Sequence, residues 1–394
     1  MNLQQRMERS LTRPIIELGS PAAAVWKARA DELYARWPTD KAALRDDPDL
    51  DEAALVVATE KVVEAALAVI AAHPPALPCH GVTHTIRVLS HGLRIARRDG
   101  LSTLDAMRLE LAAATHDLGR LLLHYDGDLR HADVSAVLIE ELRPYLGLPD
   151  SVVLPARHAV LMHSARRTDH KPIVHRVIDD VRSADKLDAL DDIGFIRAVI
   201  YQGPNHAVDI RPHVNSDAVV LYGWWKNIEH VEPVLISRTE RYLIAQARKR
   251  SRAIGESIKD FSAPADTLTS RFLEAVALVE PDANRFALAR TLARLERLPR
   301  TQRATWAGLL TTIVAEVRRL EAVRLEDLDI VANNGRPDLA PLARRLLRWS
   351  HRVQETGADM VKEVAAEVAL TDDGADTKGR QSLSAGLLMA SLSS

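Results

Sequence analysis

Apolar residues along this chain recur at helical spacing, and the strict alternation expected of half-buried strands is nearly absent. Start and stop signals fit the same reading. Ser20-Pro21 supplies an N-cap followed by proline at the first helical position and predicts a helix to about Trp37. Asp51 opens a second helix that stops at Pro74-Pro75. Its apolar run, residues 53–72, contains Glu60, Lys61 and Glu64, which suits an amphipathic helix and not a membrane span. Ser102-Thr103-Leu104-Asp105 forms a capping box ahead of a strongly apolar helix expected to end near Gly119. Gly100, Gly147 and Gly203 stand where helices should stop. A long helix is expected over residues 232–261, with Ser262-Ala263-Pro264 as a short linker. Helices of about 12 to 25 residues then continue to Leu370, broken at Pro281, Pro299 and residues 333–337. The fold class is therefore all-α.

Composition refines this picture. The apolar fraction rests on Ala, Leu and Val, with aromatics at only 4%, and Ala and Leu are strong helix formers. A chain of 394 residues divides into several parts: an N-terminal helical region (1–75), a central domain (76–261), a C-terminal helical domain (264–370) and a disordered tail (371–394). The formal net charge of −2 gives no global basic field for nucleic acid or an anionic membrane. One cysteine, Cys79, excludes an internal disulfide and a thiolate zinc cluster. The first 19 residues interleave charges and carry no apolar core of a signal peptide, so a cytoplasmic location is expected.

Candidate chemistry lies in the middle. Eleven of the fifteen histidines fall between His73 and His175. His84 lies one turn into a helix; the pair His116-Asp117 follows the apolar run Leu111-Ala-Ala-Ala-Thr115; His131 begins a helix and His163 ends one; Asp185 sits in Ala184-Asp-Lys-Leu-Asp-Ala189. An apolar helix ending in an imidazole beside a carboxylate sets two hard-to-bury groups at the rim of a core, and a bound cation is the usual compensation. Imidazoles and carboxylates without sulfur suit Mn, Fe, Co, Ni or Zn. His91 and His124 read as ordinary core or surface histidines.

In this order the residues resemble the bacterial HD-domain metal-dependent phosphohydrolases, over about residues 79–261. His84-Thr-Ile-Arg87-Val88 resembles the first motif, Ala113-Ala-Thr-His116-Asp117-Leu-Gly119 the eponymous one, and His131-Ala-Asp-Val-Ser135-Ala136 with Val160-Leu-Met-His163-Ser164 the middle histidine helices. Ser183-Ala-Asp185-Lys186-Leu-Asp188-Ala189 followed by Ile193-Gly-Phe-Ile-Arg197 is similar to the last ligand motif. That motif reads Asp-Ala-Asp-Arg-Leu-Asp-Ala in a branch of nucleotide phosphohydrolases and pyrophosphohydrolases. Ser183, Lys186 and Asp191 depart from the branch, whereas Asp185 keeps its place.

The resemblance implies a helical bundle with one or two divalent ions, manganese among the candidates. His84, His116, Asp117 and Asp185 would be ligands. His131 and His163 would serve a second ion or the substrate phosphate. His80 resembles the leaving-group acid of cyclic-nucleotide phosphodiesterases; on a continuing helix it would share a face with His84. Arg120 and Lys186 are candidates to clamp an anionic oxygen, and Arg166 and Arg167 to contact substrate. The expected partner is a small phosphate substrate, a nucleotide by analogy. Arg285, Arg290, Arg294 and Arg297 form a basic helical face, read first as solvated and otherwise as docking a protein partner or a second copy. Trp224-Trp225 reads as packing. Two rival functions share these residues: an HD-fold di-iron oxygenase, and a regulatory module with a structural metal.

Overall fold

The computed structural model describes residues 1–44, 51–75, 79–164, 176–189, 191–202, 249, 261–283 and 285–372. Among these residues every regular element is helical and no strand occurs, so the protein is all-α. The helices are α1 Leu3–Leu11, α2 Pro21–Ala43, α3 Glu52–Ala72, α4 Val82–Arg98, α5 Thr103–Thr115, α6 His131–Leu142, α7 Asp150–Met162, α8 Arg176–Leu187 and α9 Asp191–Gln202. They continue with α10 Leu268–Val279, α11 Arg285–Glu296, α12 Arg300–Asn334 and α13 Ala340–Asp372. None is long and apolar enough to cross a membrane. The helix expected over 232–261, the stop at Gly203, Trp224-Trp225 and the tail from 373 lie outside the described residues.

The chain forms two compact units. Unit 1 holds residues 1–188 and 324–349; unit 2 holds, among the described residues, 189–202, 261–323 and 350–372. In unit 1 the sequence signals act locally. Ser20, Asp51 and Ser102 each accept a hydrogen bond from a backbone N–H in the first turn of α2, α3 and α5, satisfying a donor that the helix itself cannot. Gly100 and Gly147 take positive φ of 61° and 66°, a conformation that glycine adopts without steric cost.

Helix α5 is the middle of unit 1, packed against α3, α4, α7 and α8. Ala106, Met107, Leu109 and Leu111 through Ala114 are all buried, and the small residues let several helices approach one axis. Burying Met107, Leu109 and Leu111 contributes roughly 1.5–3 kcal/mol each before conformational costs. Residues of α13 complete the same unit: Arg345 pairs with Glu60 and Glu64, and Trp349 Nε1 donates to Glu64 Oε2 at 3.1 Å. In unit 2, α9, α10 and α11 pack on one another, Phe195 stacks on the buried Trp306, and Arg197 Nε donates to Glu280.

Three boundaries differ from those expected. Helix α2 runs past Trp37 through Pro38 to Ala43. Its last turn is held from outside, because Asp40 accepts from Arg157 while Trp37 stacks on His158; tertiary contacts override the proline. Helix α5 ends at Thr115, short of Gly119, and the chain turns through a short 3-10 segment, Leu118–Leu121. Thr115 Oγ1 and His116 Nδ1 both bond carbonyls of the last turn, Leu111 and Ala113. Helices α12 and α13, at 35 and 33 residues, exceed the expected lengths, though the interruptions stand at Pro281, Pro299 and 335–337. On the basic face, Arg297 is exposed and the side chains of Arg285, Arg290 and Arg294 lie outside the described residues.

Glu110 is the outlier of the core. It is buried in α5 and its Oε1 has no hydrogen-bond partner. Burial, with Asp338 and Glu60 adding negative charge, pushes its carboxyl well above the usual range against the opposing field of Arg345. The folded protein thus keeps a proton that the unfolded chain releases near the ordinary glutamate value, so this group costs stability as pH rises above that value. Glu110→Gln needs no proton. Its Tm should exceed that of the wild type at about pH 8, with the gap narrowing toward about pH 5; a gap equal at both would overturn the assignment.

Candidate metal centre

Unit 1 brings six residues to one place, and helix ends do the placing. His84 is the third residue of α4, His116 and Asp117 follow the end of α5, His131 opens α6, His163 caps α7 and Asp185 lies in the last turn of α8. The turn after α5 sits directly on the start of α6. Gly119 N donates to Ser135 Oγ, and Ser135 Oγ donates to the His116 carbonyl, both at 2.7 Å. A Cβ at Gly119 would lie 2.1 Å from the His131 carbonyl oxygen, so only glycine lets Asp117 and His131 meet.

Hydrogen bonding fixes which nitrogen of each ring carries the proton. His116 Nδ1 faces the Ala113 carbonyl at 2.8 Å and His163 Nδ1 faces the Val160 carbonyl at 2.6 Å. His84 Nδ1 faces Asp188 Oδ2 at 2.6 Å, and His131 Nδ1 faces both oxygens of Asp126 at 2.8 and 2.9 Å. Carbonyls and ionised carboxylates only accept, so in each neutral ring the N–H is on Nδ1 and Nε2 presents a lone pair. Those lone pairs converge. His84 and His116 approach Nε2 to Nε2 at 3.2 Å, as do His131 and His163. Two neutral acceptors cannot bond each other, whereas a cation between them binds both.

The carboxylates complete two groups. Asp117 Oδ2 lies 3.4 and 3.5 Å from Nε2 of His84 and His116, and Asp185 Oδ1 lies 3.5 and 3.9 Å from the same nitrogens. The other oxygen, Asp117 Oδ1, lies 3.3 Å from His131 Nε2. Donors bound to one ion at about 2.0–2.2 Å stand roughly 3.0–3.5 Å apart, and all of these spacings but the 3.9 Å one between Asp185 and His116 are of that size, so each group could hold a metal ion. The protonation states fit as well. Burial lowers His116 and His163, keeping the rings neutral. Against the cost of burial, the hydrogen bond from His80 Nδ1 helps hold Asp117 well below the carboxylate range, and the charge of Lys186 does the same for Asp185. Neutral imidazole and ionised carboxylate are the forms that ligate metal.

His80 is not on a helix: α4 begins at Val82, and Cys79 before it takes a φ of 71°, in the left-handed region. The ring still reaches the cluster, with Nδ1 2.7 Å from Asp117 Oδ2, and burial pushes it down to about 3. His80, His84 and Asp117 are themselves close enough to share an ion. His84 offers a single free lone pair, however, and His116 and Asp185 already surround it. Arg120 is buried beside the site, its fork on Asp126 at 3.0 and 3.2 Å and its Nε without a partner. Lys186 Nζ lies on Asp185 Oδ2 at 2.7 Å. Arg166 and Arg167 lie outside the described residues.

Two carboxylates at the site escaped the sequence reading. Asp188 accepts from His84 and from the buried Arg87; in the sequence it stands within the last ligand motif, three residues after Asp185, with no role of its own given to it. Asp126 lies in the connection between the 3-10 turn and α6 and accepts from His131 and Arg120; no periodicity marks a residue in such a segment.

Fold and site together define an all-α protein with a buried histidine–aspartate cluster able to hold a metal ion. No family model, curated protein or solved structure matches the chain.

If the cluster holds metal, His116→Ala and Asp117→Ala should each lose tightly bound ion while the helical signal survives, because α5 has its own apolar core. Elemental analysis with circular dichroism measures both, and unchanged metal content would remove the site.

Proposed function

We propose that the chain is a metal-dependent phosphohydrolase of the HD type, acting on a nucleotide or a related phosphate ester or anhydride. One observation carries the reading: the two oxygens of Asp117 face two separate groups of imidazoles, each with its N–H turned away from the centre. Such nitrogen and oxygen donors suit Mn, Fe, Co, Ni or Zn. Divalent ions there would supply Lewis acidity, acidifying a water and neutralising charge on a phosphoryl group.

The remaining chemistry falls to side chains. Arg120 offers the buried, unpartnered Nε–H, a charge-assisted donor for an anionic oxygen. Lys186 neutralises Asp185 and so keeps that carboxylate ionised beside the nitrogens. His80, with Nδ1 on Asp117, stands where a leaving-group acid would; burial pushes it down to about 3, so that role requires the anionic substrate to raise it. Positioning with charge stabilisation is most of what phosphoryl transfer requires. The buried guanidinium favours an anionic substrate.

The test is turnover without oxygen. Protein loaded with Mn(II) or Co(II) under strictly anaerobic conditions should release phosphate or pyrophosphate from a nucleotide panel, and Arg120→Ala should lower kcat/KM by about 10-fold or more. Activity that requires iron and dioxygen, with no phosphate released from any nucleotide, would transfer the assignment to an oxygenase.

A further inference from the structure

The two groups of ligands are supported in parallel ways. Arg87 grips Asp188, and Asp188 accepts from His84 Nδ1. Arg120 grips Asp126, and Asp126 accepts from His131 Nδ1 and from the His131 backbone N–H at 2.8 Å. The other two rings, His116 and His163, lean on carbonyls of their own helices, three residues back. Each group therefore contains one ring locked by its own helix and one ring steered by a carboxylate that an arginine holds. Neither steering carboxylate is among the residues facing the centre.

The settings of the two chains differ. Asp188 and Arg87 are buried, at 1% and 2% side-chain exposure. Asp126 is 36% exposed at the rim.

We propose, resting on the two-ion reading above, that Arg87–Asp188–His84 and Arg120–Asp126–His131 are separate positioning chains, each governing the affinity of one metal position. Asp188 and Asp126 are positioning residues: they hold a ring's plane and keep its proton on Nδ1, so that Nε2 faces the ion. Carboxylates that orient metal-bound imidazoles typically account for about 10- to 100-fold in metal affinity. Because the chains share no residue, each position can be weakened without touching the other.

The experiment titrates the full-length, metal-stripped protein with Mn(II) by equilibrium dialysis and calorimetry, with Tm recorded for every variant. The wild type should bind two equivalents. Asp126→Asn should weaken one equivalent by about 10- to 100-fold and leave the other within about threefold. Asp188→Asn should do the same to the other equivalent. Where Asp188→Asn fails to fold because Arg87 is left buried without its carboxylate, Arg87→Met/Asp188→Asn supplies the same arm. His131→Ala identifies the second equivalent, and Asp126→Asn must weaken the one that His131→Ala removes. A merely structural role would lower both affinities together with Tm; that result, or an Asp126→Asn titration matching the wild type, overturns the proposal. A wild type that binds no Mn(II) overturns the metal reading itself. Two wild-type equivalents unaffected by either variant overturn only the positioning chains and leave the hydrolase reading standing.

Discussion

Four imidazoles in unit 1 each turn Nδ1 outward, to the Ala113 carbonyl, the Val160 carbonyl, Asp188 or Asp126, so that in the neutral rings the N–H lies there. The inward nitrogens are left as acceptors facing acceptors, beside two ionised carboxylates. In an apolar interior such an arrangement costs several kcal/mol without a compensating positive charge. A core this well packed would not accumulate that cost at one point by default. Much else in the unit follows from satisfying the outward bonds. Two of the rings stand just past helix ends, where the carbonyl three residues back is free to accept. A third requires an aspartate beyond the end of α8, and the fourth an aspartate outside any helix.

The same requirement explains the unusual backbone nearby. Gly119 exists so that the turn carrying Asp117 can touch the first turn of α6, with Ser135 bonded to both sides of that contact. Cys79 holds a left-handed conformation, which costs a non-glycine residue about 1 kcal/mol or more, and the chain leaving it delivers His80 onto Asp117. Strain and close approach sit on either side of the one carboxylate that both ligand groups share.

Much of this was legible in the residues. Caps at Ser20, Asp51 and Ser102 marked helix starts because they act within one turn, and the six histidines and aspartates chosen from their order and their places at helix ends are those that meet in space. What stayed hidden depends on partners far along the chain. Helix α2 survives Pro38 because Arg157 and His158 hold its last turn. Asp126 and Asp188 matter through rings that they orient, and nothing in their local pattern records those rings. Arg197, part of the family-like wording, is paired with Glu280 inside unit 2.

The path of the chain through unit 1 has a consequence for its biosynthesis. Residues 324–349 belong to that unit, so Arg345 and Trp349 reach Glu60 and Glu64 of α3 only after everything between has been translated. At about 5–20 residues per second, the stretch from Asp188 to Trp349 takes roughly 10–30 s to emerge. Throughout that interval the nascent chain carries all six candidate ligands while the face of α3 that receives α13 stays uncovered. The residues of the candidate site are thus all translated well before the unit that holds them is complete.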